Sequence, residues 1–322
     1  MKYRYLGRTG LKVSEICMGT MQFGWTAGED IADQILNAAT DAGVNFIDTA
    51  DVYSRWVDGN SGGEAETIIG NWMKRNHIPR HQIVLATKVR SRVGDGPNDE
   101  GLSRAHIYQA VDASLRRLGT DYIDLYQAHW LDENTPIQET LSALDDLVHQ
   151  GKVRYIGCSN YSAWRLTEAL WTSEQNHLTR YETLQPHYNL VHREEFEREL
   201  AGVCRAYHLG VIPYSPLAAG FLTGKYQKGK AINSARAGRA SQYGNDRNWG
   251  LLAQMEQLGK DKGGYSVSQI ALAWLLADPL ITSPIIGPRT MEQYNDNLGA
   301  TTFGLSQDEK KILDESSRWP MV

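Results

Sequence analysis

Short apolar runs alternate along the chain with longer stretches whose apolar positions recur every three or four residues. The first pattern reads as buried strands and the second as amphipathic helices. Residues 3–13 stand apart: Tyr3, Tyr5, Leu11 and Val13 flank Gly7 to Gly10 and predict a β-hairpin. From there the alternation is regular. Ile16 to Met18 reads as a strand ending at Gly19 and Thr20, and Ile31 to Ala42 as a helix closed by Gly43. Val44 to Asp48 is the second strand, Glu64 to Arg75 its helix, and Ile83 to Ala86 the third strand, stopping at Thr87 and Lys88. Ser103 caps a helix whose apolar residues Ile107, Ala110, Val111, Leu115 and Leu118 keep helical spacing up to Gly119.

The second half continues in kind. Tyr122 to Gln127 is a strand leading to His129 and Trp130, followed by a helix from Ile137 to His149 stopped by Gly151. Strands follow at Val153 to Gly157, Glu182 to Gln185, Val211 to Pro213 and Ser283 to Ile286. Between and after them lie helices at Ala163 to Trp171, Glu194 to Tyr207, Ser266 to Ala277 and Met291 to Leu298. Gly220 to Asn248, rich in Gly, Arg, Lys and Ser, reads as a loop excursion, and Gln307 to Arg318 as an appended C-terminal helix. Eight strand–helix units imply parallel pairing. With no break in composition, they favour an α/β fold of the closed (β/α)8 TIM-barrel type over a doubly wound sheet, as a single domain over residues 1–322.

In such barrels the strand ends and the loops after them carry the chemistry. Asp48 falls at the second strand end, Lys88 at the third and His129 at the fourth, with Tyr53 in the loop after Asp48. Each alone has a plain structural reading: a helix cap, a surface cation, a satisfied core histidine. Their joint position on one rim changes that. A phenol is a poor acid near neutrality, and an adjacent ammonium favours its ionised form. Asp48 is expected to hold Lys88 charged, and His129 to orient a carbonyl oxygen or help pass the proton. Such a site protonates oxygen while something else attacks carbon. Neither a Ser or Cys nucleophile with an obvious base nor a close-spaced metal set accompanies it, so hydride from a dinucleotide is the natural attacker.

Net charge is −5 with no basic stripe, which argues against nucleic acid as a partner. Ile270 to Ala277, the longest strongly apolar stretch, is too short to span a bilayer. Met1 to Gly10 lacks the apolar core of a secretory signal, and Cys17, Cys158 and Cys204 fit reduced, buried thiols. A cytoplasmic protein is expected. No Gly-x-Gly-x-x-Gly follows a strand, and the run from Gly220 to Tyr226 lacks the spacing and the hydroxyl residue of a P-loop.

The stretch from Gly43 to Tyr53 resembles the Gly-x-x-x-Ile-Asp-Thr-Ala-x-x-Tyr signature of the aldo-keto reductase family. Similar landmarks follow in order. They are Leu85 to Lys88, Asp121 to Tyr126 leading to His129, Ile156 to Asn160, Tyr214 to Leu217, Gly224 to Tyr226, and Ile285 to Arg289. The resemblance covers essentially the whole chain and implies Tyr53 as general acid, with Asp48, Lys88 and His129 completing a tetrad. It places Ser159, Asn160 and Gln185 at the nicotinamide carboxamide and Tyr214 stacked on the ring, and counts Asp48 among the cofactor-binding residues. Ser215, Leu217 and Lys225 would follow the pyrophosphate, and Gly19, Thr20 and Met21 would lie near the ribose and nicotinamide. Ile286, Gly287, Arg289, Gln293 and Asn297 would complete the cofactor set, the last three at the adenosine end.

The guanidinium of Arg289 suits a 2′-phosphate, which favours NADPH over NADH. Gly287 and Pro288 replace the Lys-Ser of the family's steroid-reducing branch, and Gln293 stands at its later Arg, so the preference rests on Arg289 with Lys225. Trp25, Trp56 and Trp130, together with Tyr53 and His129, are expected to line a substrate pocket; packing beneath a loop is the alternative for the tryptophans. The reading is an NADPH-dependent reductase of a small aldehyde or ketone, reversible with the alcohol. Its alternative is a cofactor-binding regulatory subunit like the β subunit of potassium channels, and a weaker one is a barrel isomerase or lyase.

Overall fold

The computed structural model describes residues 1–226, 228 and 237–319. A two-stranded antiparallel hairpin, β1 (Tyr3–Tyr5) and β2 (Lys12–Ser14), precedes the main sheet. Eight parallel strands then follow: β3 (Cys17–Gly19), β4 (Phe46–Asp48), β5 (Val84–Val89), β6 (Ile123–Ala128), β7 (Val153–Ser159), β8 (Tyr181–Gln185), β9 (Gly210–Val211) and β10 (Ile285–Ile286). They pair in the order β10-β3-β4-β5-β6-β7-β8-β9. A parallel bridge between Val211 and Ile281 and the bond from the Ile285 amide to the Pro213 carbonyl (2.9 Å) join the two ends. The result is the expected (β/α)8 barrel.

Helices α1 (Glu29–Asp41), α2 (Glu64–Arg75), α3 (Arg104–Leu118), α4 (Ile137–His149) and α5 (Ala163–Gln175) each follow one strand. Local chemistry sets their ends. The Ser103 side chain accepts the His106 amide at the start of α3, and Gly119 closes it in the left-handed conformation (φ 64°). Before α6 (Ala201–Tyr207), residues Phe196–Leu200 form a wider π-helical turn, so the predicted helix over 194–207 is not uniform. The connection from β9 to β10 also departs from expectation. It holds a 3₁₀ segment over Ala218–Thr223, then α7 (Ala237–Ser241) and α8 (Asp246–Asp261), which buries Leu251, Leu252 and Met255. The predicted loop over 220–248 is therefore partly helical, and its positions 227 and 229–236 lie outside the described residues. Polar residues and Gly250 break the periodic signal of α8, but the Asn245 side chain caps it by accepting the Asn248 amide. Helices α9 (Val267–Leu276), α10 (Met291–Gly299) and α11 (Gln307–Ser316) complete the order, and α9 and α11 both start with capping boxes.

Strand parity sorts the side chains into two cores. Cys17, Phe46, Val84, Ala86, Leu125, Ile212 and Ile285 fill the barrel interior, and the hairpin adds Leu6 and Val13 to that cluster. Gly7 makes this plug possible. Its φ is +60°, and a Cβ there would sit 2.7 Å from the Gly210 nitrogen. The alternate residues Ile47, Leu85, Val89 and Tyr126 face outward into the layer under the helices. The same parity points Asp48, Lys88, Gln127 and Gln185 inward, above the apolar interior. Lys88 lies within β5 rather than after it, because the strand runs on to Val89.

Candidate active site

Asp48 and Lys88 are 1 % and 0 % exposed, so their charges are tenable only through the partners around them. Lys88 Nζ lies 2.6 Å from Asp48 Oδ2, 2.8 Å from the Thr49 carbonyl and 3.0 Å from the Tyr53 hydroxyl. Asp48 Oδ1 accepts the Gln185 amide at 2.8 Å and the Gln127 amide at 3.2 Å. The carboxylate thus takes three donors, one of them cationic.

Tyr53 reaches this group through a pinned loop. The Asp51 amide bonds the Lys88 carbonyl (3.3 Å), so the chain keeps tracking β5 beyond the end of β4. Buried Ser54 donates to the Phe23 carbonyl at 2.6 Å, and Asn60 donates to the carbonyls of Ser54 and Gly24. His129 follows β6, its amide on the Val89 carbonyl (2.9 Å) and its own carbonyl accepting Asn160 Nδ2 (3.0 Å). Its ring meets Tyr53 edge-on at 6.0 Å between centroids rather than by a hydrogen bond.

Electrostatics divides these groups. Burial favours neutral Lys88, but Asp48 and Tyr53 outweigh it and hold the ammonium above the usual lysine range. Burial pushes the Tyr53 phenol above its ordinary value, and the opposing pull of Lys88 does not cancel this. The expected easing of proton release is therefore present as a contribution but not as the net direction. Burial, then the charges of Lys88 and Arg90, bring His129 down to about 3, so its ring is neutral at ordinary pH.

A cleft of about 770 Å³ opens above these residues. Every cofactor position expected from the sequence lines it. Gly19, Thr20, Met21 and Asp48 line it, as do Ser159, Asn160, Gln185 and Tyr214. Ser215, Leu217, Lys225, Ile286, Gly287, Arg289, Gln293 and Asn297 line it as well. Thr20 is fixed by its amide and hydroxyl on the Asp48 carbonyl, both at 3.0 Å. Asn160 adopts φ 59° at the end of β7, a conformation asparagine tolerates, and accepts the Tyr214 hydroxyl at 2.8 Å. Tyr214 is backed by His187, whose ring is stacked on it (5.1 Å, 12°) and on His192 (3.9 Å, 19°).

Of the predicted substrate-pocket residues, Trp25, Tyr53, His129 and Trp130 line the cleft and Trp56 does not. Trp56 packs edge-on against Trp25 at 5.6 Å and is 47 % exposed, so it supports the wall from outside. Lys88 is likewise behind the surface, reaching the cleft only through Tyr53 and Asp48. Sequence reasoning missed Gln22, Arg239, Glu292 and Asp296, which also line the cleft, and the buried Gln127. Strand parity from Leu125 points Gln127 inward and is the signal that would have found it. Gln22 sits on a loop, Arg239 in the short helix α7, and Glu292 and Asp296 in α10, where polar positions carry no signal that they face a cleft.

Fit to a dinucleotide is testable on the cations. Lys225, Arg239 and Arg289 all line the cleft, yet none forms an ion pair among the described residues. Three cations without an ion pair among the described residues, in one cleft that also holds Glu292 and Asp296, suit an anionic ligand. No group of three metal-ligating side chains occurs among the described residues, and no helix there is long and apolar enough to cross a membrane.

Known proteins bear on the same geometry. A sequence model of the Aldo/keto reductase family matches residues 15–318. An uncharacterized oxidoreductase of Bacillus subtilis, YrpG, is 41 % identical over 98 % of this chain and 95 % of its own length. The versiconal hemiacetal acetate reductase of Aspergillus parasiticus is 34 % identical over 98 % and 96 %. A probable voltage-gated potassium channel subunit beta from rice is 37 % identical over 93 % and 91 %. With a barrel of this topology and a family match over nearly its whole length, the chain belongs to the aldo/keto reductase family.

Proposed function

We propose that this protein is an NADPH-dependent carbonyl reductase that converts a small aldehyde or ketone to its alcohol, reversibly, with Tyr53 as proton donor. The observation that carries this is the Lys88 ammonium, set between Asp48 Oδ2 at 2.6 Å and the Tyr53 hydroxyl at 3.0 Å beside the cleft. A nicotinamide dinucleotide, when bound, supplies the hydride that the carbonyl carbon accepts. The chain's own groups handle the oxygen. Tyr53 stays protonated because burial holds its proton, so it can donate to the carbonyl oxygen as charge develops there. The phenolate left behind faces Lys88, whose charge Asp48 preserves. Neutral His129 orients the substrate oxygen without adding a charge of its own.

For the cofactor, Tyr214 offers a ring face and Asn160, Ser159 and Gln185 the amide-binding edge. Gln185 spends its N–H on Asp48, which frees its carbonyl for a carboxamide donor. Lys225 takes the pyrophosphate. Arg289, with Gln293 and Asn297, takes the adenosine end, and its fork favours a 2′-phosphate. Trp25 and Trp130 flank the substrate. The chain works as one domain over residues 1–322, and its three buried free cysteines fit a reducing, cytoplasmic compartment.

The direct experiment is loss of NADPH absorbance with a panel of aldehydes and ketones, repeated with NADH. No turnover across the panel would sink the reading. One relative favours a second: the rice protein named as a probable potassium channel β subunit suggests a cofactor-binding regulatory role. Tight NADPH binding with very slow turnover, plus stable capture by a channel's cytoplasmic part, would favour that instead.

A further inference from the structure

Lys88 is one of three donors on Asp48, and the other two are amides of different standing. Gln185 lines the cleft, whereas Gln127 does not reach it and is 0 % exposed. Gln127 Nε2 donates to Asp48 Oδ1 at 3.2 Å, on the oxygen opposite the one held by Lys88. The reverse orientation would set its carbonyl oxygen against a carboxylate, so electrostatics fixes the amide. Around it the barrel is shaped to keep it there. Gln127 pairs in register with Gly157, and Gly157 with Thr183. A Cβ on Gly157 would lie 2.0 Å from Thr183 Oγ1, so the Thr183 side chain occupies the space that Gly157 leaves, next to Gln127. Gln127 Oε1 and Thr183 Oγ1 are both buried and neither has a hydrogen-bond partner among the described residues, an arrangement that is costly unless one water bridges the hydroxyl to the amide oxygen.

We propose that Gln127 is a positioning residue for proton transfer, with Thr183 as its support. The role rests on the carbonyl-reductase reading above. Two amides saturate Asp48 Oδ1 and stop the carboxylate from rotating, which keeps Oδ2 aimed at Lys88 and Lys88 aimed at Tyr53. The positive end of the Gln127 dipole also offsets part of the Asp48 charge felt at the Tyr53 phenol. Without it the potential is more negative and the phenol keeps its proton to higher pH.

The test uses Gln127→Leu and Thr183→Val in the full chain, with NADPH affinity measured by fluorescence and the pH dependence of kcat measured at saturating carbonyl. A hydrogen bond to a charged group is worth about one power of ten or more in an equilibrium, so about a tenfold fall in kcat is expected for Gln127→Leu. KM for the carbonyl and affinity for NADPH should stay as in the wild type, since Gln127 touches neither. The basic limb of the kcat profile should move to higher pH, which a merely structural loss would not do. Thr183→Val should shift the limb in the same direction by less. A Gln127→Leu enzyme with wild-type kcat and an unmoved limb overturns the proposal, and so does a rise in KM with kcat unchanged. If Gln127→Leu does not fold, Thr183→Val decides alone: a shifted limb supports the proposal and an unmoved one overturns it. A wild-type protein that reduces no carbonyl refutes the reductase reading and this one together, whereas an active wild type with unaltered variants refutes this one only.

Discussion

Replacing Lys88 by Met isolates what the buried ion pair contributes. Methionine keeps the stem of the side chain in the barrel and removes only the ammonium. That ammonium now satisfies three oxygens, at 2.6, 2.8 and 3.0 Å, in a site where Lys88 is 0 % and Asp48 1 % exposed. Its loss strands a carboxylate whose two remaining donors are both neutral amides. Removing one partner of a buried pair costs about 3–5 kcal/mol, because the other charge stays buried. Replacing both partners by neutral groups is often close to neutral for stability. Urea unfolding followed by circular dichroism should therefore show Lys88→Met destabilised by about 3–5 kcal/mol, and Asp48→Asn/Lys88→Met recovering most of that loss. Turnover should fall in both, by about 10²- to 10⁴-fold, since neither retains a cation facing the Tyr53 phenol. A Lys88→Met protein as stable as the wild type would refute the claim that the charge is held in place by pairing. A double variant no better than the single would show that lost packing, rather than a stranded charge, sets the cost.

Other outcomes follow from the same geometry. Tyr53→Phe should lose about 10²- to 10⁴-fold in kcat while its affinity for NADPH, read by fluorescence, stays unchanged. His129 makes the protein acid-sensitive. It is held neutral down to about 3, whereas the unfolded chain takes the proton near its ordinary value of 6.5, so stability declines as pH falls below that value toward 3. At pH 5 this amounts to about 2 kcal/mol from His129 alone, and urea midpoints for His129→Gln should show a shallower decline. Arg289→Leu should raise KM for NADPH well above its effect on NADH, narrowing the preference; equal effects on both would remove Arg289 from the 2′-phosphate.

Much of the barrel is legible in local sequence. The eight strand positions, the helices at Glu64–Arg75 and Ile137–His149, and the capping by Ser103 and Gly119 all depend on residues within a turn or two of each other. Elements went unread where the signal is broken. Helix α8 has a polar start and an internal glycine, and the π turn at Phe196–Leu200 has no period of its own. At the site, the positions of Asp48, Tyr53 and His129 follow from strand ends and the loops after them, whereas Lys88 lies inside β5. The inward switch from apolar Val84 and Ala86 to Lys88 follows from parity.

Distances and charge states belong to the tertiary structure, because both arise from groups far apart in sequence. Gln185 reaches Asp48 across 137 residues, and only barrel closure brings them to 2.8 Å. Trp56 and Trp25 look equivalent as sequence, yet the fold sets one behind the other. Tyr53 shows the division best. Sequence placed a cation beside it, and from that alone the phenol should ionise more easily. How far water is excluded around the phenol depends on the whole loop and barrel together, and that burial outweighs the cation and raises the phenol above its ordinary value, the reverse of the direction the cation alone would give.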